Sequence, residues 1–165
     1  MEIDTIGFIN LLMNKKNSAI KETFVLAHQN HEKNNLQVAE KLYKEILNID
    51  PNHFGSIFLL GTLTAQNKNF DKAKQLLQKA ILINPSHAQA HYNLGLVFKD
   101  LKEIQKEKDC YERAIQINPN YTDAHNNLGT IFQRLKEYLK AVRCYEQAIQ
   151  INPNDANAHN NLGTV

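Results

Sequence analysis

The chain has 165 residues, of which 42% are hydrophobic and 22% are charged. This composition can form a folded core, and the six glycines and four prolines leave little irregular structure, so helices are expected. The formal net charge of +2 is too small to indicate a nucleic acid or an anionic membrane as partner, because phosphate binding requires clustered Lys and Arg side chains.

The beginning of the chain does not have the pattern of a targeting segment. Glu2 and Asp4 lie where a signal peptide would be basic, and the apolar stretch from Ile6 to Met13 is interrupted by Asn10. That stretch is also far too short to span a bilayer. A cytoplasmic protein without a membrane partner is therefore expected.

Residues 1–19 are nevertheless predicted to contain a helix, because Ile6, Ile9, Leu12 and Met13 fall on one helical stripe. We interpret this segment as a leading helix that caps the open apolar edge of the structure that follows. Two alternatives remain open for the segment: a disordered tail, or a helix through which two copies of the chain associate.

From residue 20 onward the chain repeats every 34 residues. The prolines keep this spacing, and so do four of the six glycines, which follow ten residues later: Pro51, Pro85, Pro119 and Pro153, with Gly61, Gly95, Gly129 and Gly163. A fixed period of this length is typical of a solenoid, in which each unit buries its apolar face by stacking on its neighbours. Alignment on the prolines gives units 20–53, 54–87, 88–121 and 122–155, and a partial unit 156–165.

Each full unit is predicted to be a pair of amphipathic helices. In the unit 88–121, apolar residues recur at helical spacing in two runs separated by Lys102 and Glu103. The second helix ends before the proline, which disfavours a helical residue in front of it. Glycines on the first helix and alanines on the second allow the two backbones to approach closely.

Catalytic and metal-binding patterns are not found in the sequence. Cys110 and Cys144 are one period apart and are expected to be free thiols, because neighbouring helices are too far apart for a disulfide. His91, His125 and His159 form a ladder at the same period, too widely spaced to share one metal ion. With no phosphate-binding loop and no HExxH motif, we expect no enzyme activity, cofactor or metal within these residues.

The spacing of the small and aromatic residues resembles the tetratricopeptide repeat over residues 20–165. One unit carries the pattern in Leu128, Gly129, Ala141, Tyr145 and Pro153. The chain departs from the family at the three ladder histidines, which replace a frequent Trp. It also departs at Ala27, which replaces glycine, and at Glu107, which replaces a small residue and is expected to loosen its helix pair.

The resemblance implies an all-α, right-handed superhelix whose first helices line a concave groove that binds peptides or proteins. In that groove the first helices of this chain offer amides and a few other polar side chains: Asn93, Asn126, Asn127, Asn160, Asn161, Tyr92, Lys99, Gln133 and Arg134. An amide both donates and accepts, so a ladder of asparagines could hold an extended peptide by its backbone. The alternative is that repeat duplication copied the asparagines without a binding role.

The first units differ from the later ones. Phe24 and Phe58 make the early groove aromatic, so its two ends should prefer different ligands. A carboxylate clamp of the kind that binds chaperones is not expected, because Asp123 would repel the ligand. The phrases AHNNLGT and AIQINPN resemble the repeats of O-linked N-acetylglucosamine transferases.

The resulting prediction is a protein–protein interaction module. Leu162, Gly163 and Val165 lack the polar substitutions of a capping repeat, so we interpret the sequence as a fragment of a longer protein. One alternative is the substrate-recruiting arm of a larger enzyme such as a glycosyltransferase. The other is a self-assembling scaffold that associates through its leading helix or its exposed last repeat.

Overall fold

The computed structural model describes residues 5–165, with side chains from residue 9 onward. Residues 1–4 and the side chain of Ile6, part of the predicted stripe, lie outside this description. Between residues 5 and 165 the fold is an all-α solenoid of nine helices without strands: α1 (Thr5–Glu32), α2 (Leu36–Ile49), α3 (Phe54–Gln66), α4 (Phe70–Ile83), α5 (Ala88–Asp100), α6 (Ile104–Ile117), α7 (Thr122–Arg134), α8 (Tyr138–Ile151) and α9 (Ala156–Leu162).

The helices follow the 34-residue period of the sequence. Helices α3, α5, α7 and α9 begin at the first residue of their units. We call these helices and the second half of α1 the first helices, and α2, α4, α6 and α8 the second helices. Each helix packs on its neighbours in the chain, and the first helices also meet one another, α3 against α5 and α7 against α9.

Each turn within a unit contains one residue in the left-handed conformation. These residues have φ near 60° and keep the same spacing: Asn34, Lys68, Lys102 and Lys136. In the last of these turns the Glu137 N–H donates to the Phe132 carbonyl (2.8 Å) and the Lys136 N–H to the Gln133 carbonyl (2.9 Å). This pattern closes the end of the first helix and reverses the chain in three residues.

The turns between units use a side chain in place of a helical bond. Asn84, Asn118 and Asn152 end their helices, and each side-chain Oδ1 accepts the backbone N–H two residues later, across the proline. Asp50 accepts in the same way in the first unit, at 3.1 Å. This local bond explains why the second helix of each unit ends at an Asp or Asn followed by proline.

The helix pair of a unit is closely packed because its contact residues are small. Ala73 and Ala141 are completely buried, as are Leu77 and Tyr145 one turn later and Tyr111, the equivalent of Tyr145 one unit earlier. A Cβ atom added to Gly95 would lie 2.5 Å from Tyr111 Cε1. Glycine is therefore required where the first helix crosses the ring of the second.

Glu107 does not loosen its helix pair, contrary to expectation. Helices α5 and α6 pack as extensively as α7 and α8, although Glu107 replaces the small residue found at Ala141. The Glu107 side chain is 3% exposed, and its Oε2 lies 3.4 Å from Arg134 Nη1 in the next unit. The chain thus accommodates the carboxylate by pairing it across the unit boundary.

Residues 5–19 form the first half of α1, which continues without a break through the boundary expected at residues 19 and 20. No proline occurs before Pro51 to end this helix, and residues 5–19 account for about 22 Å of its length. Ile9, Leu12 and Met13 are about half exposed (49%, 50% and 53%), and the capping role of this segment stays a prediction. The first buried side chain of α1 is Ile20.

Candidate functional site

Several of the predicted groove residues meet where successive first helices are in contact, a region that we call the seam. In each of the last three units an asparagine amide nitrogen donates to a side chain of the preceding first helix. Asn93 Nδ2 donates to Thr62 Oγ1 (3.0 Å), and Asn127 Nδ2 donates to the Tyr92 hydroxyl (3.1 Å). Asn161 Nδ2 donates to Asn126 Oδ1 (2.9 Å).

These bonds define the chemistry that the asparagine row presents. One N–H of each amide is used between helices, which leaves a second N–H and the carbonyl oxygen. At Asn93 this oxygen also accepts the Gln89 Nε2 N–H at 3.5 Å. Because the three side chains are partly buried and each is held by a neighbour, the amides have a fixed orientation. Sequence reasoning located the row but missed these bonds, which join residues 31 to 35 positions apart.

Gln133 and Tyr92 also belong to this seam. Gln133 Nε2 donates to Thr164 Oγ1 (3.2 Å), and its Oε1 accepts from the Tyr145 hydroxyl (3.0 Å). The Tyr92 ring packs against Tyr121 with centroids 4.8 Å apart. Burial, with a smaller effect of the Asp123 carboxylate, raises the pKa of Tyr92, so the hydroxyl stays protonated.

The remaining predicted residues are more open. Lys99, Asn160 and Arg134 are exposed, and Arg134 also forms the ion pair with Glu107. Burial raises the pKa of the Glu107 carboxyl, and the nearby Arg134 and Lys99 cations lower it by less. The C-terminal part of the seam therefore combines amides with two exposed cations.

The N-terminal part of the seam is aromatic, as predicted from Phe24 and Phe58. The Phe58 ring stacks on Phe54 (centroids 6.0 Å apart, planes 3° apart) and meets His87 edge-on at 4.7 Å. Phe24 meets His53 in the same way at 5.1 Å. In each of the first three units the groove-side aromatic thus packs on the residue that precedes the next first helix.

The ladder histidines have a structural role. The Nε2 atoms of His91, His125 and His159 lie 3.1, 2.9 and 2.9 Å from the carbonyl oxygens of the prolines six residues earlier. Each ring is therefore hydrogen-bonded to the turn that precedes its own first helix. Within residues 5–165 no group of three or more His, Cys, Asp or Glu side chains is arranged to hold a metal ion.

Two further observations concern reactivity and membranes. Cys110 and Cys144 are free thiols, and burial raises their pKa values to about 12 and about 11, so both stay protonated at neutral pH. In the part of the chain with described coordinates, no helix combines the length and apolar character needed to cross a bilayer.

Comparison with known proteins agrees with this architecture. Sequence profiles of the tetratricopeptide repeat match residues 31–95, 88–121 and 122–155. No curated protein sequence matches the chain. Among solved structures the fold is similar to MamA, with a TM-score of 0.77 and 29% identity over 84% of this chain and 81% of that one.

Two more distant structures share the fold alone. PilF of Pseudomonas aeruginosa has a TM-score of 0.81 and 18% identity, over 91% of this chain and 68% of that one. A mutant O-GlcNAc transferase of Thermobaculum terrenum has a TM-score of 0.74 and 22% identity, over 82% of this chain and 26% of that one. The profile matches and the architecture of the present chain together place it in the tetratricopeptide repeat family. Arrays of this repeat are protein–protein interaction modules.

Proposed function

We propose that this module holds an extended peptide segment of a partner protein along the seam of its first helices, mainly by the peptide backbone. The observation that carries the proposal is the row of Asn93, Asn127 and Asn161, each tied to the preceding helix by one N–H. A row of oriented amides offers alternating donors and acceptors, which are the groups that an extended backbone presents.

The interhelix bonds support this role because they reduce the entropy lost on binding. A free asparagine side chain would have to be ordered by the ligand, whereas these amides are ordered before it arrives. Each new amide–backbone bond should add about 0.5–1.5 kcal/mol. Exposed Lys99 and Arg134 would favour acidic side chains in the peptide segment beside them.

The recruiting arm of a larger enzyme would use the same seam and therefore the same chemistry. The likeness to the O-GlcNAc transferase supports the fold only, at 22% identity over 26% of that chain. Self-assembly would instead use the exposed part of α1, where Leu11 and Leu12 are each 50% exposed. Sedimentation of the chain and of Leu12→Lys over a range of concentrations separates this scaffold role from peptide binding.

The direct test is an array of unrelated extended peptides, probed with the chain and with Asn93→Ala/Asn127→Ala/Asn161→Ala. We expect binding that tolerates changes of peptide sequence and is lost in the variant, because three backbone contacts disappear together. N-methylation of the peptide amides should abolish binding in the same way, since it removes backbone donors without changing the side chains.

A matched control replaces three exposed amides of the second helices, Gln78, Gln116 and Gln150, by alanine. This control should bind as the unchanged chain does. Circular dichroism of every variant establishes that it is folded, and the single variant Asn127→Ala serves if the triple variant is not. Unchanged binding by a folded asparagine variant, or binding that ignores N-methylation, would reject the backbone-holding role.

A further inference from the structure

Two histidines cap α3 and α5, and their bonds depend on the protonation state of the ring. His53 precedes α3, and its Nδ1 accepts the Ser56 backbone N–H at 3.2 Å. His87 precedes α5, and its Nδ1 accepts the Ala90 N–H at 3.2 Å. A ring nitrogen accepts only while it carries no proton, so both caps require neutral histidine with the proton on Nε2.

The equivalent positions of the C-terminal half lack this property. Tyr121 precedes α7 and makes no side-chain cap bond. Asp155 precedes α9, and its Oδ1 accepts two N–H groups, from Asn157 (2.9 Å) and Ala158 (3.1 Å). A carboxylate accepts these bonds as an anion, which suits the positive end of the helix dipole.

We propose that the His53 and His87 caps make the first turns of α3 and α5 acid-sensitive, so that these turns loosen when the rings gain a proton while α9 stays capped. On protonation, each Nδ1 would direct an N–H at the N–H it now accepts. It would also add a positive charge at the positive end of a helix. Neither effect occurs at Asp155.

The surroundings of His87 strengthen the effect. Its ring meets Phe54 and Phe58 of α3 edge-on, with centroids 4.9 and 4.7 Å away, so charging the ring places a cation between apolar side chains. From α5 the titratable group that faces it is His91, a second potential cation. Burial and His91 together lower the pKa of His87.

Two features moderate the response. The Ala90 N–H also lies 3.0 Å from the His87 carbonyl, so this donor keeps one partner after protonation. At His53 the Ser56 hydroxyl lies 2.9 Å from Nδ1 and can reverse from donor to acceptor. The charged groups beside His53 are Asp50 in the same turn and Lys79 of α4, whose Nζ donates to the Pro51 carbonyl at 2.6 Å. We therefore assign the larger response to His87.

The sign of the pH dependence follows from linkage. A histidine whose pKa is lower in the folded chain than in the unfolded chain binds its proton more tightly after unfolding. Its stabilising effect is complete above the unfolded pKa and is lost as the pH falls toward the folded pKa. In that window the His87 cap changes the ratio of folded to unfolded chain by at most about tenfold per pH unit.

The test compares urea unfolding of the chain with that of His53→Asn/His87→Asn between about pH 7.5 and pH 5. Asparagine caps helices well and does not titrate, so the variant should fold and show a smaller loss of stability on acidification. His125→Gln is the matched control. The His125 Nε2 bond to the Pro119 carbonyl needs only a donor, which both protonation states provide, so this control should keep the pH dependence of the unchanged chain.

Hydrogen exchange locates the effect. After correction for the intrinsic rate, acidification should reduce amide protection in the first turns of α3 and α5 but not in the first turn of α9, and the double variant should lose this difference. Identical pH dependence of the chain and the double variant would overturn the proposal, as would an NMR titration in which His87 protonates at or above the ordinary histidine pKa. Neither readout requires a peptide ligand, so this inference stands or fails independently of the proposed binding function.

Discussion

Replacing Gly129 by alanine should destabilise the chain, although alanine is the better helix former. In the structure an added Cβ lies 2.6 Å from Tyr145 Cε1 and 2.8 Å from Cδ1. The ring cannot move away easily, because Tyr145 is completely buried and its hydroxyl donates to Gln133. Overpacking of this kind costs about 1–3 kcal/mol, and the gain in helix propensity returns up to about 1 kcal/mol.

The net loss is therefore about 1 kcal/mol, or a fall in melting temperature of about 2–4 °C for a chain of this length. Thermal and urea unfolding followed by far-ultraviolet circular dichroism measures it. Gly163→Ala is the control, because its Cβ would meet only backbone oxygens at 3.5 and 3.6 Å. Gly61→Ala should fall between them, since its Cβ would lie 3.1 Å from the more adaptable Leu77 side chain. If Gly129→Ala were as stable as Gly163→Ala, the argument from close packing would be refuted.

Three further changes test other features of the solenoid. The Tyr111 hydroxyl is buried without a hydrogen-bond partner, so Tyr111→Phe should raise the free energy of unfolding by about 1 kcal/mol. The Tyr145 hydroxyl is hydrogen-bonded, so Tyr145→Phe should lower the free energy of unfolding by about 0.5–1.5 kcal/mol. Urea unfolding measures both changes. Lys136 has a left-handed φ of 61°, which glycine adopts without strain, so Lys136→Gly should stabilise the chain by about 0.5–1 kcal/mol. Lys136→Ala removes the same charge without this relief and should show no such gain. Burial raises the pKa of Glu107, so the contribution of this side chain to stability is present at low pH and lost as the pH rises. Glu107→Gln should therefore be more stable than the unchanged chain at pH 7, and this gain should vanish toward pH 4. An equal gain at both pH values would contradict this account.

The repeating features of the fold could be predicted from the sequence because each depends on a few residues close together in the chain. The proline after each second helix, the glycine that meets an aromatic ring and the alternation of apolar residues are all local patterns. They predicted an all-α solenoid with two helices in each unit, and the nine helices of residues 5–165 confirm it.

The details of the candidate site depend on contacts between units, which the period alone does not specify. Asn127 and Asn93 are equivalent in sequence, yet one donates to Tyr92 and the other to Thr62, because the preceding helices differ. The stable burial of Glu107 required an arginine 27 residues away. Peptide binding by these residues stays a prediction for the experiments above.

The bonds between successive first helices depend on which units are neighbours. Asn161 of α9 finds its acceptor in Asn126 of α7, and the unit 122–155 itself contains both an amide at position 126 and one at position 127. The sequence AHNNLGT at 124–130 recurs at 158–164, so the junction of α7 with α9 is nearly the junction of this unit with a copy of itself. Tandem copies of residues 122–155 should therefore form a regular superhelix that keeps this bond at every joint, whereas copies of 54–87, with Leu59 at the amide position, would lack it.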